Sequence, residues 1–200
     1  KINVLQLHNP RNEIKNWDLI IEMFNYYKKK KFINHSGISL ARNYYFPTKI
    51  LNSFDFIQDE FNLLRVDPLK KMRNYKNTLA ARSVFANGIL TDGFNLKSIY
   101  QVSDHRNSWL QGKRKKNIFE QKELLRKLRK DNITQFAMDF AMHYKIFDKF
   151  IFGFRTERQF EALINNLKNL KPLNKKIIQK IFFLHKKNQF FLNKKLRYNN

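Results

Sequence analysis

The sequence lacks the residues that define several common classes of protein. Its 200 residues include no cysteine, so neither a disulfide nor a thiolate metal site can form. A chain without cysteine suits a reducing compartment, and we expect a cytoplasmic protein. No apolar run approaches the roughly 18 residues that a membrane-spanning helix needs, so a membrane is not expected as a partner.

Glycine is scarce and never forms a nucleotide-binding turn. The five glycines are Gly37, Gly88, Gly93, Gly112 and Gly153. A doubly wound dinucleotide-binding fold would carry G-x-G-x-x-G after an early strand, and no such motif occurs. The G-x-S-x-G motif that marks the nucleophile of many serine hydrolases is missing as well. The sequence therefore argues against both of these α/β classes.

Acidic residues are few beside basic ones, with 16 Asp and Glu against 40 Lys and Arg and a formal net charge of +24. Such an excess raises nucleic acid as a possible partner. The lysines are nevertheless spread over predicted helix ends, a loop and the tail, in the clusters Lys28–Lys31, Lys113–Lys116 and Lys194–Lys195. Nucleic acid is therefore not the expected partner, and an RNA-associated binding protein is kept as an alternative.

Five short apolar segments have the composition of buried strands. They are Ile2–Leu7, Phe32–Ser39, Phe54–Leu64, Thr78–Val84 and Phe150–Phe152. Segments with apolar residues at helical spacing alternate with them, for example Trp17, Ile20 and Phe24. Strands that alternate with helices predict a parallel sheet with helical crossovers.

The remaining segments are predicted as helices or loops. The predicted helices include Phe46–Ser53, Asp67–Asn74, Asn117–Lys130, a face from Phe136 to Tyr144, a face from Phe160 to Leu170, and Leu173–Lys187. Between them lies a long irregular stretch, Asn87–Lys116. Loops of this length in a compact domain are usually functional or inserted.

The number of units indicates the architecture. A (β/α)₈ barrel needs eight βα units and about 250 residues, whereas this chain offers five units and opens directly on a strand. We therefore predict an α/β fold, a partial (β/α)₈ TIM barrel of about five βα units plus a C-terminal helix. Residues 1–188 would form the C-terminal portion of one barrel domain with further residues upstream, and residues 189–200 a basic tail.

Polar residues follow the predicted strands at their carboxyl ends. They are His8, Ser39, Asn62, Ser83 and Arg155. In a barrel these ends converge on the face that carries the chemistry, and the phosphate site usually follows the seventh and eighth strands. If the strands are the fourth to eighth, Arg82–Ser83 and Gly153–Thr156 occupy those places.

The corner after the last predicted strand has two interpretations. Thr156 and Gln159 have the spacing of a capping box, and Arg155 precedes the cap. A helix start beside a guanidinium is a plausible phosphate site. An ordinary strand-to-helix turn with a solvated arginine explains the same residues, and this stretch alone favours that second interpretation.

Other polar residues are expected to be structural. Asp59 and Glu60 are neighbours on a strand, so their side chains should point to opposite faces and form no acid pair. His35 alternates within a strand and should be packed. The other histidines lack the spacing of metal ligands, and no metal is expected.

Five segments in order resemble the aldo/keto reductase family, from the fourth strand of its barrel to the last helix. They are LQLHNP, SGIS, IQDEFNLL, AARSVFANGIL and FGFRTERQFEALINNL. The resemblance implies an oxidoreductase that reduces an aldehyde or ketone, the small carbonyl substrate, with NAD(P)H and without a metal. It also implies that hydride passes from the nicotinamide to the carbonyl carbon.

The resemblance further implies a role for individual residues. His8 would be catalytic and orient the carbonyl oxygen. The proton-donating Tyr and its Lys and Asp belong to the region before this chain, so this chain by itself should be inactive. The nicotinamide carboxamide would be held by Ser39 and Gln58. The remaining cofactor-binding positions are Arg82 beside the nicotinamide, Ser83, Phe85 and Asn87 at the pyrophosphate, and Gly153, Phe154, Arg155 and Gln159 at the adenosine phosphate.

Four residues depart from the family pattern. Leu40 stands where Asn is common, Arg82 replaces an aromatic that stacks on the nicotinamide, and Ala162–Leu163 replaces a Glu-Asn pair. A guanidinium plane can also stack on a ring. Arg155 near a helix start favours NADP(H), with NAD(H) as the alternative. A non-catalytic barrel relic is the other hypothesis that these departures support.

Overall fold

Five strands form one parallel sheet in the computed structural model, which describes residues 1–11, 13–41, 46–129, 132–188 and 190. The strands pair in chain order, each with the next. They are β1 (Ile2–His8), β2 (Ile33–Ser39), β3 (Phe56–Glu60), β4 (Thr78–Arg82) and β5 (Lys149–Ile151). The predicted α/β fold with five parallel βα units is confirmed.

Helices and turns connect the strands. They are α1 (Trp17–Lys29), α2 (Thr48–Leu51), α3 (Pro68–Lys71) with a 3₁₀ turn (Met72–Asn74), α4 (Arg106–Trp109), α5 (Gly112–Arg126), α6 (Ile133–His143), α7 (Glu157–Lys168) and α8 (Lys175–Asn188). The connections supply the crossovers that parallel strands require.

The two faces of the sheet differ in polarity. Leu7, Ile38, Ile57 and Leu79 are in register across four strands, and they pack in the core that the helices cover. Successive residues of a strand point to opposite faces. The next row, which contains His8, Ser39 and Gln58, therefore lies on the other face.

Carboxylates fasten the amino ends of the strands. Asp55, just before β3, pairs with Lys28 of α1 at 2.9 Å and accepts the Ser36 amide of β2 at 2.8 Å. Burial alone would raise the pKa of Asp55, but Lys28 and the Ser36 donors outweigh it and lower that pKa. Asp148 accepts the Leu79 amide in the same way before β5, at 2.8 Å. This end of the sheet is built for stability.

Several predicted boundaries were wrong. The third strand was expected to reach Leu64 but ends at Glu60, because Asn62 and Arg65 exchange backbone hydrogen bonds in a tight turn. Helix α5 begins at Gly112, five residues before the predicted start, because Lys and Arg are good helix formers that apolar spacing cannot reveal. Lys130 lies outside the described residues.

Two predictions about packing also need correction. His35 is exposed, since its side chain lies on the face of the sheet away from the helices. On α7 the predicted apolar face is buried only at Leu163, while Phe160 is 43% and Leu170 38% exposed. Within the described residues, β1 and β5 each pair with one neighbour, so both edges of the sheet are open.

Helix α8 carries a buried histidine at its end. The Nε2 atom of His185 lies 2.8 Å from the carbonyl oxygen of Leu63, and the ring packs on Phe190 with centroids 4.3 Å apart. Burial lowers the pKa of His185 to about 4. Apart from Phe190, the predicted basic tail lies outside the described residues.

The His185→Gln variant should lose less stability in acid than the parent. The pKa of His185 is about 4 in the folded state and about 6.5 in the unfolded state. As the pH falls from about 6.5 to 4, the unfolded state takes up a proton that the folded state does not, so the folded state loses stability that it has in full above pH 6.5. The difference should be on the order of 3 kcal/mol. Urea unfolding at several pH values measures it. The exposed His143→Gln is the control and should follow the parent; parallel curves for His185→Gln and the parent would contradict the burial argument.

Candidate functional site

Three of the predicted site residues stand side by side at the carboxyl end of the sheet. His8 of β1 is in register with Ser39 of β2, and Ser39 with Gln58 of β3. His8 is exposed, and its Nε2 atom lies 3.1 Å from the side-chain amide of Asn9. Asn9 also donates its backbone N–H to the Ser39 carbonyl at 2.9 Å, which holds the strand end in place.

The hydroxyl of Ser39 is buried and has no hydrogen-bond partner among the described residues. The residue is only 2% exposed. A buried polar group without a partner costs about 1–3 kcal/mol, so a ligand that bonded to this hydroxyl would relieve the cost. The position therefore suits a polar group of a ligand.

Arg82 crosses the end of the sheet from β4. Its Nη2 atom donates to the carbonyl of Leu40 at 2.8 Å, and Nη1 lies 3.2 Å from the hydroxyl of Ser83. Leu40 is buried in the core and donates its backbone N–H to the Gln58 carbonyl. Arg82 is thereby fixed beside the row of His8, Ser39 and Gln58.

The loop after β4 has an unusual backbone. Ser83, Ala86 and Asn87 have φ angles of 55°, 47° and 57°, and Gly88 follows with 87°. Non-glycine residues in the left-handed region are strained and cluster at functional sites. The strain falls on the segment that the sequence predicted as the pyrophosphate loop. Phe85 of this loop packs on Phe152, with ring centroids 5.7 Å apart.

A buried charge network supports the end of β3. Arg65 is 2% exposed, and its guanidinium reaches Asp59 at 3.1 Å, Glu60 at 3.5 Å and Asp67 at 2.9 Å. The turn after β3 thus brings one cation into contact with both Asp59 and Glu60, which the sequence did not predict. Burial raises the pKa of Asp59 to about 6, although Arg65 opposes this shift.

Asn62 joins this network to the strained loop. Its Nδ2 atom donates to the carbonyl of Ser83 at 3.0 Å and lies 3.3 Å from Glu60 Oε1. Its Oδ1 atom accepts the amide of Leu64 at 3.0 Å. Sequence reasoning placed Asn62 at the strand end but missed this role, because the contact joins residues from neighbouring strands.

The corner after β5 is a capped helix start. Thr156 accepts the Gln159 amide at 3.3 Å, and Gln159 Oε1 accepts the Arg155 amide at 2.7 Å. The predicted capping spacing is thus present, with Gln159 engaged in the cap. Phe154 is 52% exposed and packs on Phe160, whereas Gly153 is exposed.

Arg155 is paired with an acid from the long loop. Both Nη atoms lie 3.1 Å from Asp104 Oδ2. Asp104 also accepts three hydrogen bonds from Arg106, whose Nη1 atom donates to the Asn87 carbonyl at 3.0 Å. No sequence pattern predicts this contact, since the partners are distant in the chain.

The predicted site residues thus fall into two groups. His8, Ser39, Gln58, Arg82 and Ser83 meet at the ends of β1 to β4. Residues 153–159 lie at the end of β5, joined to the first group by the loop that contains residues 85–106.

Across the described ranges, no group of three or more acidic or histidine side chains could hold a metal ion, and no helix has the length and apolarity to cross a membrane.

Comparison with solved structures decides the fold. The glycerol dehydrogenase AKR11B4 from Gluconobacter oxydans superimposes with a TM-score of 0.71 and 15% identity, over 96% of this chain. The aldo-keto reductase AKR11C1 from Bacillus halodurans gives 0.68 over 92% of this chain, with 18% identity in its holo form and 19% in its apo form. The chain has the fold of the aldo-keto reductases.

This fold covers only part of those proteins. The chain spans 60% of AKR11B4 and 60% or 62% of AKR11C1. The prediction of a partial barrel, made from the number of βα units, is confirmed at the level of the fold. No protein-family model matches the sequence, and no curated protein matches it either.

Proposed function

We propose that the chain forms the fourth to eighth units of an NAD(P)H-dependent aldo/keto reductase, which reduces an aldehyde or a ketone. The observation that carries this proposal is the buried Ser39 hydroxyl, which has no hydrogen-bond partner in the part of the chain that the structure describes. Ser39 is in register with His8 and Gln58. A parallel barrel places its chemistry at this end of the strands. The fold similarity supports the same family.

The residues present fit the cofactor that the family uses. Ser39 and Gln58 would hold the carboxamide, and Arg82 would stack on the nicotinamide ring, since a guanidinium plane can pack on a ring. The strained loop with Ser83, Phe85 and Asn87 would bind the pyrophosphate. The adenosine phosphate would lie at Gly153, Phe154, Arg155 and Gln159. The bound cofactor supplies the hydride, and no metal takes part.

His8 would hydrogen-bond to the oxygen of the substrate carbonyl. Its ring is exposed at the strand end, where a substrate could reach it, and the contact with Asn9 orients it. A donor held at the point where negative charge develops stabilises the transition state. The proton itself would come from a Tyr in the units that precede these five, as the resemblance implies.

The substrate is a separate question from the chemistry. One of the similar structures is a glycerol dehydrogenase, so glyceraldehyde and dihydroxyacetone are the first carbonyl compounds to test.

The absence of cysteine suits the cytoplasm, which we propose as the location.

Titration of NADPH fluorescence tests the cofactor site. Arg155→Ala in the full-length protein, titrated with both NADPH and NADH, should weaken cofactor binding by about 1–3 kcal/mol if the guanidinium meets a phosphate, because that charge-assisted contact is then lost. The control is Arg158→Ala, which removes the same charge from an exposed position of α7 and should bind as the parent does.

The alternative is a non-catalytic basic barrel that binds RNA. The formal net charge of +24 and the departures from the family pattern at the cofactor positions favour it. Such a protein would retain RNA in a gel shift with a steep dependence on salt. Failure to bind either cofactor, together with RNA retention at moderate salt, would replace the proposed function by this one.

A further inference from the structure

We propose that Asp104 is a specificity-determining residue, which biases the protein toward NAD(H) by occupying the guanidinium of Arg155. The inference rests on the proposed function, and it deepens the assignment of the corner after β5. It also changes the expectation from sequence, which considered Arg155 alone and favoured a 2′-phosphate.

The carboxylate and the guanidinium meet directly. Arg155 presents both Nη atoms to a single oxygen of Asp104, each at 3.1 Å. The Arg155 side chain is 66% exposed, whereas that of Asp104 is 8% exposed. The acid is therefore the fixed member of the pair and the arginine the accessible one.

Arg106 fixes the acid in place. Its backbone amide and Nε each donate to Asp104 Oδ1 at 2.9 Å, and Nη2 donates to Oδ2 at 2.6 Å. Arg106 is held in turn by the Asn87 carbonyl and by the ring of Tyr100, 4.1 Å from its guanidinium carbon. Asp104 therefore cannot swing away when a ligand approaches without breaking these contacts.

The acid stays charged under ordinary conditions. The hydrogen bonds from Arg106, and then those from Arg155, hold the pKa of Asp104 well below its usual range. A dianionic phosphate brought to Arg155 would meet this carboxylate at close range, and like charges repel. The 2′-hydroxyl of NAD(H) carries no charge and can donate a hydrogen bond to a carboxylate.

The test compares NADPH with NADH on the full-length protein and its Asp104→Asn variant. Asparagine keeps an oxygen that accepts from Arg106 but removes the charge. We expect NADPH affinity to rise about tenfold, equivalent to about 1.4 kcal/mol, with NADH affinity little changed. The control is Glu161→Gln, which changes the net charge equally at an exposed position of α7 and should leave the ratio as in the parent.

A double-mutant cycle then identifies the partner. In the Arg155→Ala background, Asp104→Asn should raise NADPH affinity less than about threefold, because no guanidinium is left to release. An equal gain in both backgrounds would overturn the role of Arg155. An unchanged ratio in Asp104→Asn would overturn the inference as a whole.

Two further measurements keep the result interpretable. If Asp104→Asn has a lower melting temperature than the parent, Asp104→Ser is measured in its place. It removes the charge and offers a hydroxyl to the Arg106 amide, and it should show the same rise in NADPH affinity.

Parent protein that binds NADH but not NADPH supports the inference. Parent protein that binds neither cofactor overturns the proposed function and this inference with it, whereas equal binding of both overturns the inference alone.

Discussion

Replacement of Arg65 by methionine should lower the free energy of unfolding by about 3–5 kcal/mol, because it leaves buried carboxylates without their cation. Arg65 is 2% exposed and contacts Asp59, Glu60 and Asp67. Asp59 and Glu60 are themselves only 3% and 2% exposed, so water cannot take the place of the guanidinium. Urea unfolding of the two proteins at neutral pH measures the difference.

The dependence on pH separates this effect from lost packing. Burial already raises the pKa of Asp59 to about 6, so the folded parent takes up a proton there as the pH falls toward the unfolded value near 3.8. Without Arg65 the Asp59 carboxyl should protonate more readily, and the difference in free energy of unfolding between parent and variant should shrink in acid. Arg73→Met, at an exposed position, is the control and should change stability by less than about 0.5 kcal/mol. A loss for Arg65→Met that is equally large at every pH would point to packing alone.

The parallel sheet could be predicted because its signals are local. Apolar segments such as Ile2–Leu7 and Thr78–Val84 recur with helices between them, and that order allows few topologies. Their carboxyl ends carry His8 and Ser83, and parallel strands must bring such ends to one side. The location of the candidate site therefore followed from the fold class.

The contacts within the site could not be predicted, because they join residues far apart in the chain. Asp104 and Arg155 are 51 positions apart, and Arg82 reaches Leu40 across 42. Neither pair produces a periodic pattern in the sequence. Asp59 and Glu60 illustrate the same limit. Both carboxylates contact Arg65, and this contact depends on the turn after β3, which strand geometry alone does not predict.

The register of the strands supplies what the sequence lacks. Ser39 could be matched to a carboxamide ligand only by resemblance. The sheet shows it buried beside His8, with a hydroxyl that has no hydrogen-bond partner among the described residues. Leu40 stands where Asn is common in the family. In the structure its side chain is in the core and its backbone carbonyl accepts a hydrogen bond from Arg82.

Replacement of His8 by alanine should lower kcat by about 10²–10³, because loss of one donor at a developing oxyanion has that effect in other enzymes. The affinity for the reduced cofactor should stay within about twofold, since the residue is expected to meet the substrate and not the cofactor. Steady-state consumption of whichever of NADH and NADPH binds more tightly, with a carbonyl substrate, gives kcat, and fluorescence titration gives the affinity. Both are measured on the full-length protein.

His35→Ala is the matched control for this variant. His35 lies on β2, on the same face of the sheet as Ser39 but toward the amino end of the strand, and it is exposed. Its loss should leave kcat unchanged, because a barrel carries its chemistry at the carboxyl ends of the strands. Equal rates for His8→Ala and the parent would remove His8 from the chemistry. An equal loss of kcat in the two variants would mean that the loss comes from a disturbed sheet. A loss of kcat confined to His8→Ala would place the chemistry at the carboxyl ends of the strands.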